Sequence, residues 1–154
     1  MTEFTVRPAT VHDVNAVFHL TNDHAQAGLM LPRSKYKIIT MLNNFSVVET
    51  AEKEVVACAA LTPLWTDMAE IMALAVADEY QGKGIGTMLC RSLIKRAKEL
   101  GFPKIIALTY QVGFFKKIGF QVTDKDQFPR KMWRECLECP KLEQCDETAM
   151  FLDL

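Results

Sequence analysis

The chain carries almost no excess charge of either sign: 18 Lys and Arg stand against 19 Asp and Glu, for a formal net charge of −1. The basic surplus that draws a protein to nucleic acid is therefore missing, and no block of like charges marks a disordered tail. No apolar run reaches the roughly 18 residues of a membrane-spanning helix. The start, Met1 to Pro8, lacks the cationic head and apolar stretch of a secretory leader. Cysteine is odd in number, five in all, with no export signal, so a reducing cytoplasm is the expected setting. There is no internal repeat and no low-complexity linker. With 154 residues, 49% of them apolar and 24% charged, the chain suits a single domain over 1–154 with a proper core.

One stretch organises the rest. Glu70-Ile71-Met72-Ala73-Leu74-Ala75-Val76 is apolar after its first residue and reads as a buried strand. A polar turn from Asp78 to Lys83 follows, and Gly82, Gly84 and Gly86 lead into a segment whose apolar residues recur at helical spacing: Ile85, Met88, Leu89, Leu93 and Ala97. A strand that hands over to a helix through such a turn leaves backbone N–H groups unpaired at the positive end of the helix dipole. That arrangement favours a phosphate ligand. The P-loop pattern is absent, because no Lys-Ser/Thr pair follows at the required spacing. The dinucleotide fingerprint is absent too, because Gly86 follows Gly84 too closely.

The remaining elements follow from periodicity and turn chemistry. Phe4–Arg7 alternates as a first strand ended by Pro8. Thr10 with Asp13 forms a capping-box variant ahead of an amphipathic helix bearing Val14, Val17, Phe18 and Thr21. A second helical pattern follows Ser34, with Tyr36, Ile39 and Ile38/Leu42 expected to face inward. Phe45–Glu49 and Glu54–Leu61 read as an antiparallel hairpin, with Pro63 ending or bulging its second strand. The long helix stops near Gly101, Lys104–Thr109 is another buried strand, and Phe114–Phe120 is a short helix broken at Gly119 before a further strand. Ala149–Leu152 adds a last strand.

Gln81-x-x-Gly84-x-Gly86 matches the pattern Gln/Arg-x-x-Gly-x-Gly/Ala and resembles the pyrophosphate-binding motif of the GNAT acyltransferases, which bind acetyl-coenzyme A. The order of elements resembles that family from end to end. The resemblance implies an α/β (α+β) fold: a mixed, mostly antiparallel sheet flanked by helices. Its central strands splay apart, so that the thioester arm of acetyl-CoA pairs with the exposed strand edge. It assigns Leu74, Ala75 and Val76 to that arm and Gln81, Gly82, Lys83, Gly84, Ile85, Gly86 and Thr87 to the diphosphate. Phe114, Phe115 and Lys117 complete the cofactor set.

Acetyl transfer to an amine asks for three things. The ammonium must lose a proton, since an α-amino group is mostly protonated at pH 7. The developing oxyanion needs a fixed donor, expected to be a backbone N–H around Leu74 to Val76. The leaving thiolate benefits from a proton. Glu70 is the expected base, because partial desolvation at the head of a buried strand lifts a carboxylate toward useful values. In the family a glutamate at this place often acts as base, commonly through a water; a solvent-facing acid at a strand end is the alternative. Many GNATs place a tyrosine four residues before the Gly-Phe pair, where this chain has Phe115. A phenyl ring cannot donate a proton, so Tyr110 is the substitute acid, with solvent as the alternative donor.

Two further segments narrow the resemblance. Gly28-Leu29-Met30-Leu31-Pro32-Arg33-Ser34 is similar to a segment in the acetyltransferase domain of N-acetylglutamate synthases. Lys131-Met132-Trp133, continuing through Cys136, Cys139 and Cys145 to Ala149-Met150, looks like the tail of the short forms of that enzyme that lack an amino-acid-kinase domain. The resemblance implies L-glutamate as acceptor and arginine biosynthesis as the setting, with a homodimer left open and no nucleic acid or membrane partner; the alternatives are another small amine or amino acid as acceptor, or an acetyl-CoA-binding sensor without catalysis. A dicarboxylate calls for cationic partners, ideally a guanidinium fork. Arg33 is the first choice, Arg130 and Lys131 follow, and Leu31 lines the same pocket. Cys136, Cys139 and Cys145 give three thiols where a structural zinc wants four ligands. Buried thiols packing against Trp133 are preferred, and no metal is expected.

Overall fold

A computed structural model describes residues 3–26, 33–124 and 148–154. Among these residues the strands are β1 (Phe4–Pro8), β2 (Phe45–Thr50), β3 (Val55–Trp65), β4 (Met68–Val76), β5 (Lys104–Thr109), β6 (Gln121–Thr123) and β7 (Thr148–Asp153). They form one sheet in the order β1-β2-β3-β4-β5-β7-β6. Every neighbouring pair is antiparallel except β4 and β5, which run parallel. The helices are α1 (Val14–Gln26), α2 (Lys35–Thr40), α3 (Ile85–Leu100) and α4 (Val112–Ile118).

Helix α3 covers one face of the sheet. Leu89, Leu93 and Ala97 fall at helical spacing and are buried against Ala59, Leu61, Ala69, Ile71 and Ile105. Burial of each leucine contributes about 1.5–3 kcal/mol. The helix ends where the sequence says it should: Gly101 takes φ 91°, and its N–H and that of Phe102 close the last turn on Lys98 O and Ala97 O. Helices α1 and α2 cover the other face, where Val14, Val17 and Ile38 pack on Val47, Cys58, Ala60, Ala73 and Ala75.

The start of α1 is fixed by ions as well as by its apolar stripe. The Thr10 N–H donates to Asp13 Oδ2 at 2.7 Å, so the capping residues meet as expected. Asp13 also takes both arms of the Arg7 guanidinium, at 2.7 and 2.8 Å, and Arg7 Nε lies 3.1 Å from Glu49 Oε2. One guanidinium thus ties β1 to β2 and to the head of α1. Its hydrogen bonds hold the Asp13 and Glu49 carboxyls below the usual carboxylate range and push its own proton affinity up.

One expectation changes. Tyr36 and Ile39 are 77% and 52% exposed, while Ile38 is fully buried. A helix as short as α2 makes under two turns and points only one apolar position at the sheet. At Pro63, expected to end or bulge the strand, the bulge is what forms: β3 continues to Trp65 with its register shifted between Pro63 and Trp65. The bulge is the physical solution, and it is mild because β2 reaches along β3 only to Ala60. The N–H that Pro63 lacks therefore leaves no gap in the β2 ladder.

Candidate active site

The site is built around β4. At first the strand alternates normally, with Ala69 and Ile71 turned to the α3 side and Glu70 and Met72 to the other. At Ala73 the pattern breaks. The register with β3 jumps from Ala60↔Met72 to Cys58↔Ala75, so Ala73 and Leu74 together oppose Ala59. This is a β-bulge, and Ala73 takes φ 57° to make it. Left-handed backbone costs an L-residue with a Cβ about 1–2 kcal/mol, and such strain persists only where its surroundings enforce it. Here the buried thiol of Cys58 donates to Ala73 O at 3.5 Å, meeting the carbonyl that the bulge displaces. Full burial pushes the Cys58 thiol up to about 12, so it serves as a neutral donor.

The other edge of β4 opens at the same place. Its pairing with β5 is confined to Ala69↔Ile105 and Glu70↔Ile106. From Ile71 to Val76 the β5-facing edge has no strand partner among the described residues. An unpaired strand edge is a template for an extended ligand carrying amide groups. Leu74 and Val76 are half-buried and Ala75 is buried along this segment.

Beyond Val76 the chain turns into α3. Gly82 and Gly84 take φ 78° and 79°, which L-residues with a Cβ rarely adopt, and nothing lies within 4 Å of the Cβ that either position lacks. Among the described residues no hydrogen bond engages the N–H groups of Gly82, Lys83, Gly84, Ile85, Gly86 or Thr87. These amides sit at the positive end of α3, where an anion is stabilised. Gln81 braces the turn from the surface: its Nε2 donates to Val76 O at 3.2 Å and to Asp78 Oδ1 at 3.3 Å. Lys83 is exposed and lies over the Tyr80 ring, with Nζ 5.5 Å from its centroid. A Cβ on Gly86 would meet the Phe114 ring at 3.3 Å, so glycine there lets α3 and α4 approach closely.

Glu70 is 6% exposed and Arg33 is 7% exposed. Arg33 stands just before α2, whose first turn is capped by Ser34 Oγ accepting from the Lys37 N–H at 3.1 Å. Its Nη2 lies 3.9 Å from Met72 Sδ. Met72 is two residues beyond Glu70 on the same face of β4, so a buried cation and a buried carboxylate share one strip of the sheet. Burying ionisable groups is costly and is usually tied to a role.

A family model described as the Acetyltransferase (GNAT) family matches residues 16–120. The chain belongs to this family. A crystal structure of a Mycobacterium tuberculosis protein, solved with CoA, shares 25% identity and a TM-score of 0.84 over 97% of this chain and 99% of that one. The N-acetylglutamate synthase of Neisseria gonorrhoeae, solved with coenzyme A and N-acetyl-glutamate, superposes with a TM-score of 0.87 at 25% identity, covering 99% of this chain but 35% of that one. Among curated proteins, an N-acetyltransferase of Chlorobaculum tepidum is 38% identical over 94% of this chain and 93% of its own length. The amino-acid acetyltransferase of Pasteurella multocida is 33% identical over 82% of this chain and 29% of its own length. The chain thus spans under a third of that larger relative.

The other residues expected in the GNAT site divide by position. Thr87 is half-buried in the first turn of α3, and Ile85 is buried in the core beneath the turn. Phe114 is half-buried beside Gly86, whereas Phe115 is 4% exposed and packs edge-on to Phe114 and Phe120. Lys117 is exposed on α4. Tyr110 is half-buried in the bend after β5, the strand whose splay from β4 opens the site. Leu31, Arg130 and Lys131, and the thiols Cys136, Cys139 and Cys145, lie outside the described residues. Two features escaped the sequence. The Ala73 bulge has no signal, since alanine is not a turn former. The pairing of Thr62 with Glu70 across β3 and β4 needs the register.

Proposed function

We propose that this GNAT domain, a single unit over 1–154, transfers an acetyl group from acetyl-CoA to the α-amino group of a small amino acid, with L-glutamate as acceptor. The observation that carries the reading is the pair Glu70 and Arg33: both buried, Glu70 on β4 and Arg33 reaching Met72 on the same face of that strand, next to the segment whose β5-facing edge is unpaired. The residues present fit the cofactor. The amides from Gly82 to Thr87 hold the diphosphate, and the open edge from Leu74 to Val76 takes the amide-bearing arm. Acetyl-CoA supplies an activated acyl group on a thiolate leaving group. Arg33 clasps a carboxylate of the acceptor in a bidentate fork and sets the amine beside Glu70. Glu70 removes the ammonium proton, which frees the lone pair for attack. A backbone N–H of the Leu74–Val76 segment stabilises the charge that develops on the acyl oxygen, and Tyr110 gives a proton to the departing thiolate.

The likeness to a solved N-acetylglutamate synthase supports glutamate, and with that acceptor we assign the reaction to arginine biosynthesis in the cytoplasm. Thiol release from acetyl-CoA, followed across a panel of amino acids and small amines, tests this. L-glutamate should give a kcat/KM at least tenfold above the rest. Release with another amine alone overturns the acceptor, and tight acetyl-CoA binding with no release for any amine overturns catalysis.

A further inference from the structure

Thr62 carries a buried hydroxyl that meets nothing among the described residues: its Oγ1 is closed off from solvent and makes no hydrogen bond. Buried hydroxyls in folded proteins are nearly always bonded, so one left over points to a partner that completes it. The position of this one is specific. Thr62 stands directly opposite Glu70 in the antiparallel β3–β4 register, in the stretch between the shift near Pro63 and the bulge at Ala73. Directly opposed residues share a face, with Cβ atoms about 4.5–5.5 Å apart. The flanking positions on this face are apolar: Ala60 and Met72 to one side, Leu64 and Met68 to the other. One hydroxyl and one carboxylate therefore sit together among apolar strand positions, with Arg33 reaching Met72 on the same face.

We propose that Thr62 is a positioning residue for Glu70, its hydroxyl holding one water against the carboxylate so that proton removal from the acceptor runs through a fixed relay. The inference rests on Glu70 being the base. In that relay the ammonium N–H bond breaks as its proton passes to the water oxygen. The water's own proton passes to the Glu70 carboxylate, and the freed lone pair attacks. A buried water needs two to four polar partners. Thr62, Glu70 and the acceptor supply three, whereas a valine at 62 keeps the shape and removes one. Buried or half-buried titratable groups on the elements around this face include Arg33 ahead of α2, Cys58 of β3, Asp13 at the head of α1, Tyr110 after β5 and His24. His24 is half-buried on α1, its Nδ1 3.0 Å from Leu20 O.

The test compares Thr62→Val and Thr62→Ser with the parent enzyme by steady-state kinetics across pH, in a His24→Asn background so that the imidazole adds nothing to the profile. Thr62→Val should melt within a few degrees of its parent, since valine keeps the shape of the buried side chain. It should lower kcat about tenfold with the KM for acetyl-CoA unchanged. The acid limb of kcat/KM should move to higher pH, because the carboxylate loses a bond that favours its charged form. Thr62→Ser should restore both. A Thr62→Val enzyme with kcat within twofold and an unmoved limb overturns the inference. So does a slower enzyme whose limb stays put and which serine does not rescue, which marks a packing role. Glu70→Gln separates the two levels: if it stays active, the base assignment fails. If it is inactive while Thr62→Val is normal, only the relay fails.

Discussion

Along its β3 edge, β4 is paired from Met68 to Val76; along its β5 edge only Ala69 and Glu70 find partners. The closed side is fastened further out by Arg7, which grips Asp13 and Glu49. The open side ends in a glycine turn whose N–H groups are unengaged among the described residues. The difference separates two tasks within one sheet. Ladder, core and ion clamp on one side supply rigidity, and the missing ladder on the other supplies a place for an extended ligand. Strain follows the same division: Ala73 is the residue of β4 in left-handed backbone, and it lies where the strand leaves β5.

If this division holds, substitutions on the open side should lower activity and those on the closed side should lower stability. The largest effect is expected from Glu70→Gln, which removes the proposed base without changing shape. It should cut kcat 10²–10⁴-fold while the melting temperature stays within a few degrees, read by thiol release and calorimetry. Arg33→Ala should raise the acceptor KM by about tenfold or more through loss of a charged hydrogen-bonded fork, with the acetyl-CoA KM nearly constant.

On the closed side, Asp13→Asn should lose about 2 kcal/mol at pH 7, the scale of a charge-assisted hydrogen bond, in urea unfolding. The Asp13 carboxyl is held below its ordinary 3.8 by Arg7, so this stability is present above that value and fades as pH falls through the lower folded one. The parent and variant curves should therefore converge in acid. Convergence at higher pH would implicate another group.

Gly84→Ala forces a Cβ into φ 79° and points it toward the open side of the turn. The expected cost is about 1 kcal/mol of stability with a several-fold rise in the acetyl-CoA KM. The smallest effect is expected for Ala73→Gly, within about 0.5 kcal/mol, because relieved strain offsets the extra backbone freedom of the unfolded chain. The same change at Ala75, outside the left-handed region, should cost about 1 kcal/mol. Equal costs at the two positions would show that the bulge stores no strain.

Much of this could be read from the residues. The Gly82–Gly86 turn is legible because glycine has a physical reason to be there, and the ends of α3 and α4 at Gly101 and Gly119 for the same reason. Glu70 and Arg33 could be named from the resemblance, but their burial toward one face of the sheet could not, since it depends on Arg33 reaching Met72. The inward face of α2 was misread because a pattern of apolar residues cannot say which of them a short helix will bury. The place of β7 between β5 and β6 is likewise invisible to local signals, being a long-range pairing.

That placement has a consequence for how the molecule is made. Among the described residues β6 joins the sheet through β7 alone, and the outer edge of β5 is covered by β7. Residues 104–109 must therefore wait for residues 148–153 before their second ladder can form. A ribosome paused before Thr148 holds a nascent chain with an apolar strand exposed along one edge, an invitation to pair with a neighbour's. Chaperone dependence during synthesis should accordingly fall on this last loop closure rather than on the β1–β4 meander.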